Sequence, residues 1–160
     1  MSYYANGEMI YAMKGIHVKL AVTWNFEAPE GGGDTHHSLF RGSKANVIIR
    51  QGKEQNYQPR LYVEPAPGAS DEELGAALKE AVAQLQSQYP GLALKRSARG
   101  MAGWQVLIPD EHLIGHEAHF RKVTKKYLEH LTEGKLPVWE VPNMIAKYYI
   151  TTRALQLAQK

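Results

Sequence analysis

The sequence predicts an α+β fold: an open, mostly antiparallel β-sheet with about three helices packed on one face. Three observations predict it. Ile16, Val18, Leu20, Val22, Trp24 and Phe26 alternate with His17, Lys19, Ala21, Thr23, Asn25 and Glu27, the period-two pattern of a strand with one buried face. Further short alternating runs follow, separated by turn residues, in the order of an antiparallel meander. Past Pro65 the apolar spacing changes to that of amphipathic helices.

Each element has its own signal. Met9 to Lys14 is a weaker strand that pairs with Ile16–Glu27 through a tight turn at Gly15, and the longer strand is expected to cross the middle of a wide sheet. Ala28 to Asp34, with its glycine run, is turn chemistry. Thr35 to Arg41 follows as a strand, Gly42-Ser43 as a turn, and Ala45, Val47 and Ile49 as the next strand. Gln51 to Asn56 is a loop. Tyr57, Pro59, Leu61 and Val63 mark a further strand, with the proline at an edge or a strand start. Ser70 and Glu73 form a capping box, and Leu74, Leu78, Ala81, Val82 and Leu85 share one helical face. Pro90-Gly91 ends that helix. Leu92–Ser97 and Trp104–Ile108 form a hairpin around Arg99–Gly103. Asp110 is positioned to cap a second helix with Leu113, Phe120, Tyr127 and Leu131 on its apolar face, stopped by Gly134. Pro142 stands near the first turn of the last helix, where its missing N–H does no harm.

Composition narrows the function. A chain of 160 residues, 44% hydrophobic and 22% charged, is globular and has the length of one ordinary domain. Cysteine is absent, which removes disulfide and thiolate chemistry and leaves the compartment open. The net charge is +3 with the signs interspersed, and no Lys/Arg block marks a nucleic-acid arm. No apolar run has membrane-spanning length, and the polar start Met1–Gly7 does not read as a signal peptide. Neither nucleic acid nor membrane is therefore an expected partner.

Several constellations carry candidate chemistry. Gly31-Gly32-Gly33 precedes a strand, so it is no Rossmann phosphate turn, and neither Gly-x-Ser-x-Gly nor a P-loop occurs. No cofactor is expected to bind this chain alone. Gly33-Asp34-Thr35-His36-His37-Ser38 suits either a polar site at a strand start or an aspartate pinning a turn. His36 and His37, adjacent on a strand, face opposite ways. His112 and His116 have the i,i+4 spacing that chelates zinc, but boundary histidines at an interface account for them more simply, and no metal is expected. His17, Lys19, Thr23, Asn25, Gln58, Arg60 and Tyr62 are read as one polar sheet face, suited to a wet interface or a ligand.

Longer strings carry a resemblance. Trp24-Asn25-Phe26-Glu27-Ala28-Pro29-Glu30-Gly31, Gly33-Asp34-Thr35-His36 and Arg41-Gly42-Ser43-Lys44-Ala45 resemble the C-terminal domain of the glucose–fructose oxidoreductase / inositol dehydrogenase (Gfo/Idh/MocA) family. Gly115-His116-Glu117-Ala118-His119-Phe120 and Leu136-Pro137 through Trp139-Glu140-Val141-Pro142 continue it, so that it spans residues 1–160 as a single substrate-binding and oligomerisation domain. The resemblance implies a separate N-terminal Rossmann domain that supplies NAD or NADP and the catalytic lysine. No Glu-Lys-Pro motif occurs here, so no catalytic residue is assigned. It also implies a sugar or sugar-derived substrate and a homodimer or larger oligomer built on the open sheet face. Asp34, His36, Arg41 and His116 are the expected substrate contacts. The alternatives are a purely structural dimerisation module and a histidine-based metal hydrolase.

Overall fold

The computed structural model describes residues 5–97 and 102–159. The class is α+β, with seven strands and three α-helices among the described residues. The strands are β1 (Gly7–Met13), β2 (Ile16–Val22), β3 (His36–Arg41), β4 (Ala45–Gln51), β5 (Arg60–Pro65), β6 (Ala93–Arg96) and β7 (Trp104–Leu107). The helices are α1 (Asp71–Leu85), α2 (His116–Glu133) and α3 (Glu140–Ala158). The chain divides into two compact units, Met1–Glu27 with His116–Lys160, and Ala28–Gly115.

In the first unit, β1 and β2 form a two-stranded antiparallel sheet closed by Lys14 and Gly15, both at positive φ. That is the expected tight turn, in the conformation two-residue hairpins favour. The long strand through Glu27 is not observed: β2 ends at Val22 and lies outside the five-stranded sheet. The cause is its partner. Gly7 pairs with Val22 as the last rung. Beyond it the Asn6 side chain accepts from the Trp24 N–H at 2.6 Å and the Asn25 N–H at 3.3 Å, which satisfies donors that no strand meets.

Two helices complete this unit. Gly134, at φ +65, follows the last residue of α2 as expected, and Pro142 stands in the first turn of α3. Asp110 does not cap α2, however. Pro109 to Leu113 closes a 3₁₀ turn through His112 N–H to Pro109 O and Leu113 N–H to Asp110 O, and Leu113 then leaves the helical region. The apolar stripe of Phe120, Tyr127 and Leu131 on α2, and of Ile145 and Tyr149 on α3, is 59–68% exposed.

The second unit is a five-stranded antiparallel sheet in the order β3-β4-β5-β7-β6 with α1 against it. Register places Phe40, Val47, Val63, Trp104 and Arg96 in one cross-strand row. Ser38, Ile49, Leu61, Val106 and Leu94 form the next row on the same side. This is the apolar face that the Val47/Ile49 and Leu61/Val63 alternation predicts. The opposite face carries Asn46, Ile48 and Arg50 beside Glu64, Tyr62 and Arg60. Its expected members His17 and Lys19 belong instead to β2, while Thr23, Asn25 and Gln58 lie outside strands. Tyr57 and Pro59 also precede β5 rather than starting it.

The helix is seated by a small cluster. Ser70 Oγ accepts from the Glu73 N–H, the capping contact the sequence predicts, and Asp71, Glu72 and Glu73 place negative charge at the positive end of the helix dipole. Gly75, one turn on from Asp71, lies over the Trp104 ring, where an added Cβ would come within 2.7 Å of the indole. Arg96, the cross-strand partner of Trp104, stacks its guanidinium 4.7 Å from that ring and pairs with Asp71. Val63 in the same row is 7% exposed. At the far end, the Gln86 amide donates to Leu92 O at 2.6 Å and accepts from the Gly91 N–H, which fixes the turn into β6.

Two measurements check this seating. Gly75→Ala improves helix propensity by about 1 kcal/mol but forces the indole aside, so a net loss of about 1–2 kcal/mol is expected in urea unfolding. A gain would mean the ring yields freely. The Arg96 guanidinium beside Asp71 holds that carboxyl below its ordinary 3.8, against a smaller opposing effect of burial. A depressed folded-state value contributes stability above the unfolded value and loses it as pH falls through the folded one. Asp71→Asn is therefore expected to be less stable than the parent at neutral pH, with the gap closing in acid below the ordinary aspartate range. A gap independent of pH contradicts the pairing.

Candidate functional site

Residues 29–38 lead from a turn into the edge strand. The Gly32 N–H closes the turn on Pro29 O at 2.7 Å, with Gly31 at φ +71, a conformation glycine adopts without the Cβ penalty. Gly33 then passes directly over Tyr57, and an added Cβ would stand 3.3 Å from the Tyr57 Cβ. Gln51 Nε2 donates to the Asp34 backbone carbonyl at 3.1 Å. His36 opens β3 opposite the same Gln51 in register. Gln51 therefore holds both the loop and the strand start.

His36 Nε2 and Ser38 Oγ share a hydrogen bond of 2.7 Å, as their i,i+2 spacing on one strand face allows. The Asp34 carboxylate forms no hydrogen bond or ion pair among the described residues, so nothing orients the imidazole as the third member of a triad does. What remains is a carboxylate acceptor, an imidazole and a hydroxyl at the mouth of a glycine loop. Such a set offers hydrogen-bond donors and acceptors but no activated nucleophile.

The four expected contact residues do not form one cluster. Asp34 and His36 lie together at the start of β3. Arg41 ends the same strand opposite Asn46, five residues and about 17 Å further along. Being an odd number of positions from His36, it faces the other side of the sheet. His116 belongs to the other unit, where it opens α2 with its ring edge-on to Phe120 at 4.8 Å. His112 is in the 3₁₀ turn, so the helical i,i+4 pair with His116 does not exist. It lies 3.0 Å from Pro90 O and edge-on to Tyr89, 3.7 Å from Glu111.

Two residues of this region were not expected as site residues from the sequence. Gln51 is a common polar residue whose role depends on register. Tyr57 sits in a turn at φ +56, next to Asn56 at φ +52, where a strand residue was expected. Across the sheet, Arg50 donates to Glu64 at 2.7 Å and stacks 5.0 Å from the Tyr62 ring. Arg60 is the direct cross-strand partner of Arg50 and makes no ion pair among the described residues.

The model of the family described as "Putative oxidoreductase C terminal domain" matches residues 1–159. The crystal structure of a putative oxidoreductase from Parabacteroides merdae ATCC 43184 is similar with a TM-score of 0.90 and 51% identity, over 96% of this chain. The matched region is 35% of that protein, so this chain spans about a third of its neighbour's length. No curated protein matches the chain.

Removing the Gln51 tether tests the arrangement of the loop. Gln51→Ala is expected to change global stability by no more than about 0.5–1.5 kcal/mol, because the bond is exposed. It is expected to speed amide exchange selectively at Gly33, Asp34 and Thr35, read by hydrogen exchange. Unchanged exchange there would show that Gln51 does not hold the loop.

Proposed function

Because this chain belongs to the putative oxidoreductase C-terminal domain family, we propose that it is the substrate-facing and assembly domain of an NAD(P)-dependent, sugar-type oxidoreductase of the Gfo/Idh/MocA kind. The observation that supports this reading is the segment Gly31–Ser38, where the His36–Ser38 hydrogen bond stands two residues from Asp34 at a strand start braced by Gln51. A few placed polar groups on a rigid edge suit a hydroxylated substrate.

Nicotinamide is assigned to the rest of such an enzyme. The glycine run Gly31–Gly33 does not fit a dinucleotide turn: it enters β3 instead of a helix, so it presents no helix N-terminus to a pyrophosphate. Within this chain, the Asp34 carboxylate would accept from substrate hydroxyls, and the His36–Ser38 pair would donate and accept beside it. The family neighbour is nearly three times as long as the region matched, which is consistent with this division of labour.

The assembly role is supported by two surfaces. Arg60 faces Arg50 across the ladder, a like-charge pair that costs stability unless a carboxylate compensates it. Glu64 serves Arg50 and leaves Arg60 to an external acid, supplied in this reading by a second copy in a closed dimer or larger oligomer. The exposed stripes of α2 and α3 are a further surface for such contacts or for the remainder of the enzyme.

The decisive experiment uses steady-state kinetics of the oxidoreductase that contains this domain. Asp34→Asn and His36→Ala are each expected to raise the KM for the sugar about tenfold, equivalent to about 1.4 kcal/mol, and to leave the KM for the nicotinamide unchanged. A larger effect on the nicotinamide than on the sugar overturns the assignment.

A further inference from the structure

We infer that the cavity between the Pro29–Gly31 turn and the Lys53–Tyr57 turn is a binding subsite for a hydroxylated ligand, a sugar or polyol. It measures about 350 Å³ and is lined by Pro29, Glu30, Gly31, Lys53, Asn56 and Tyr57. That volume accommodates a small ring. Both walls are held by backbone hydrogen bonds: Gly32 N–H to Pro29 O at 2.7 Å, Asn56 N–H to Lys53 O at 3.0 Å and Tyr57 N–H to Gly52 O at 2.8 Å. They meet where Gly33 passes over Tyr57. The walls are thus preformed, and a ligand would not have to order them.

The backbone supplies an independent observation. Asn56 and Tyr57 are consecutive residues in the left-handed region. Asparagine tolerates that conformation, whereas a bulky aromatic rarely adopts it. Strain of this kind collects at ligand clamps, and glycine would fill the position without it. The tyrosine is therefore explained by its ring, which forms the half-buried wall of the cavity.

The chemistry of the lining selects the ligand. Glu30, Lys53, Asn56 and Tyr57 offer a carboxylate, an ammonium, an amide and a phenol. None of these side chains takes part in an ion pair or a side-chain hydrogen bond among the described residues. Vicinal hydroxyls both donate to a carboxylate and accept from an ammonium or amide. The Tyr57 ring and Pro29 present apolar surface to the C–H face of a sugar ring. A simple anion would meet Glu30, and a hydrocarbon would use none of the hydrogen-bonding groups that these four side chains offer. The ligand class rests on the sugar-type reading above, whereas the position of the subsite does not.

The test is an amide-resolved NMR titration of the 160-residue chain with D-glucose and, separately, myo-inositol at millimolar concentrations, with sodium sulfate as the anion control. Saturable shifts are expected at Gly31, Gly33, Lys53, Asn56 and Tyr57 with at least one of the two. Glu30→Gln and Tyr57→Gly are each expected to weaken that binding about tenfold or more. Tyr57→Gly relieves the left-handed strain, so a retained Tm would separate lost binding from lost folding, and exposed Glu30→Gln provides the second check. Absence of saturable shifts at these amides with both sugars, shifts with sulfate alone, or unweakened binding in both variants overturns the subsite. Saturable shifts confined to Asp34–Ser38 also overturn it while the proposed function stands. Shifts at the cavity, in an enzyme that oxidises no sugar, would keep the subsite and remove that function.

Discussion

The packing of Trp104 against Gly75 is the contact on which the five-stranded unit depends. The face that carries Val63 and Trp104 needs a cover, and α1 supplies it within this unit. It approaches closely because the residue over the indole has no side chain. Arg96 then serves twice, stacking on the ring and pairing with Asp71 in the first helical turn. The sheet, the helix start and the aromatic row are joined within one turn of α1. Loss of any member would disturb Val63, which is among the few buried apolar residues described.

That seating also determines what stays open. The helix lies over the half of the sheet that runs from the central strand β5 through β7 to the β6 edge. At the other end Phe40 is 64% exposed and Val47 39% exposed on the same face. His36 and Ser38 belong to this open half, next to the glycine loop. The division of the face into a covered half and an open half is what leaves the strand start accessible to a ligand. Gln51, at the end of β4, transmits the order of the sheet to the loop.

Much of this was legible in the residues. The alternation of Val47, Ile49, Leu61 and Val63 marks the apolar face, Ser70 and Glu73 mark the start of α1, and Gly15 marks the hairpin. The opposite orientation of Arg41 was legible too, since an odd separation from His36 reverses the side of a strand. Other features depend on partners distant in sequence. β2 stops at Val22 because β1 begins at Gly7. Asp110 is diverted into a 3₁₀ turn by hydrogen bonds back toward Pro109. Gly75 reads as a weak helix residue until Trp104 is seen beneath it. The left-handed Tyr57 contradicts the strand pattern around it, and local conflicts of this type are where a binding role is to be sought.

The central claim is that the open strand start of this domain meets the substrate while the nicotinamide is held elsewhere in the enzyme. A crystal structure of the oxidoreductase containing this domain, with nicotinamide and a sugar bound, tests it most directly. The account predicts sugar hydroxyls within about 3 Å of the Asp34 carboxylate and the His36 ring, and cofactor phosphates contacting no residue from 28 to 115. A sugar bound away from the Gly31–Ser38 loop, or a pyrophosphate resting on Gly31–Gly33, would contradict it.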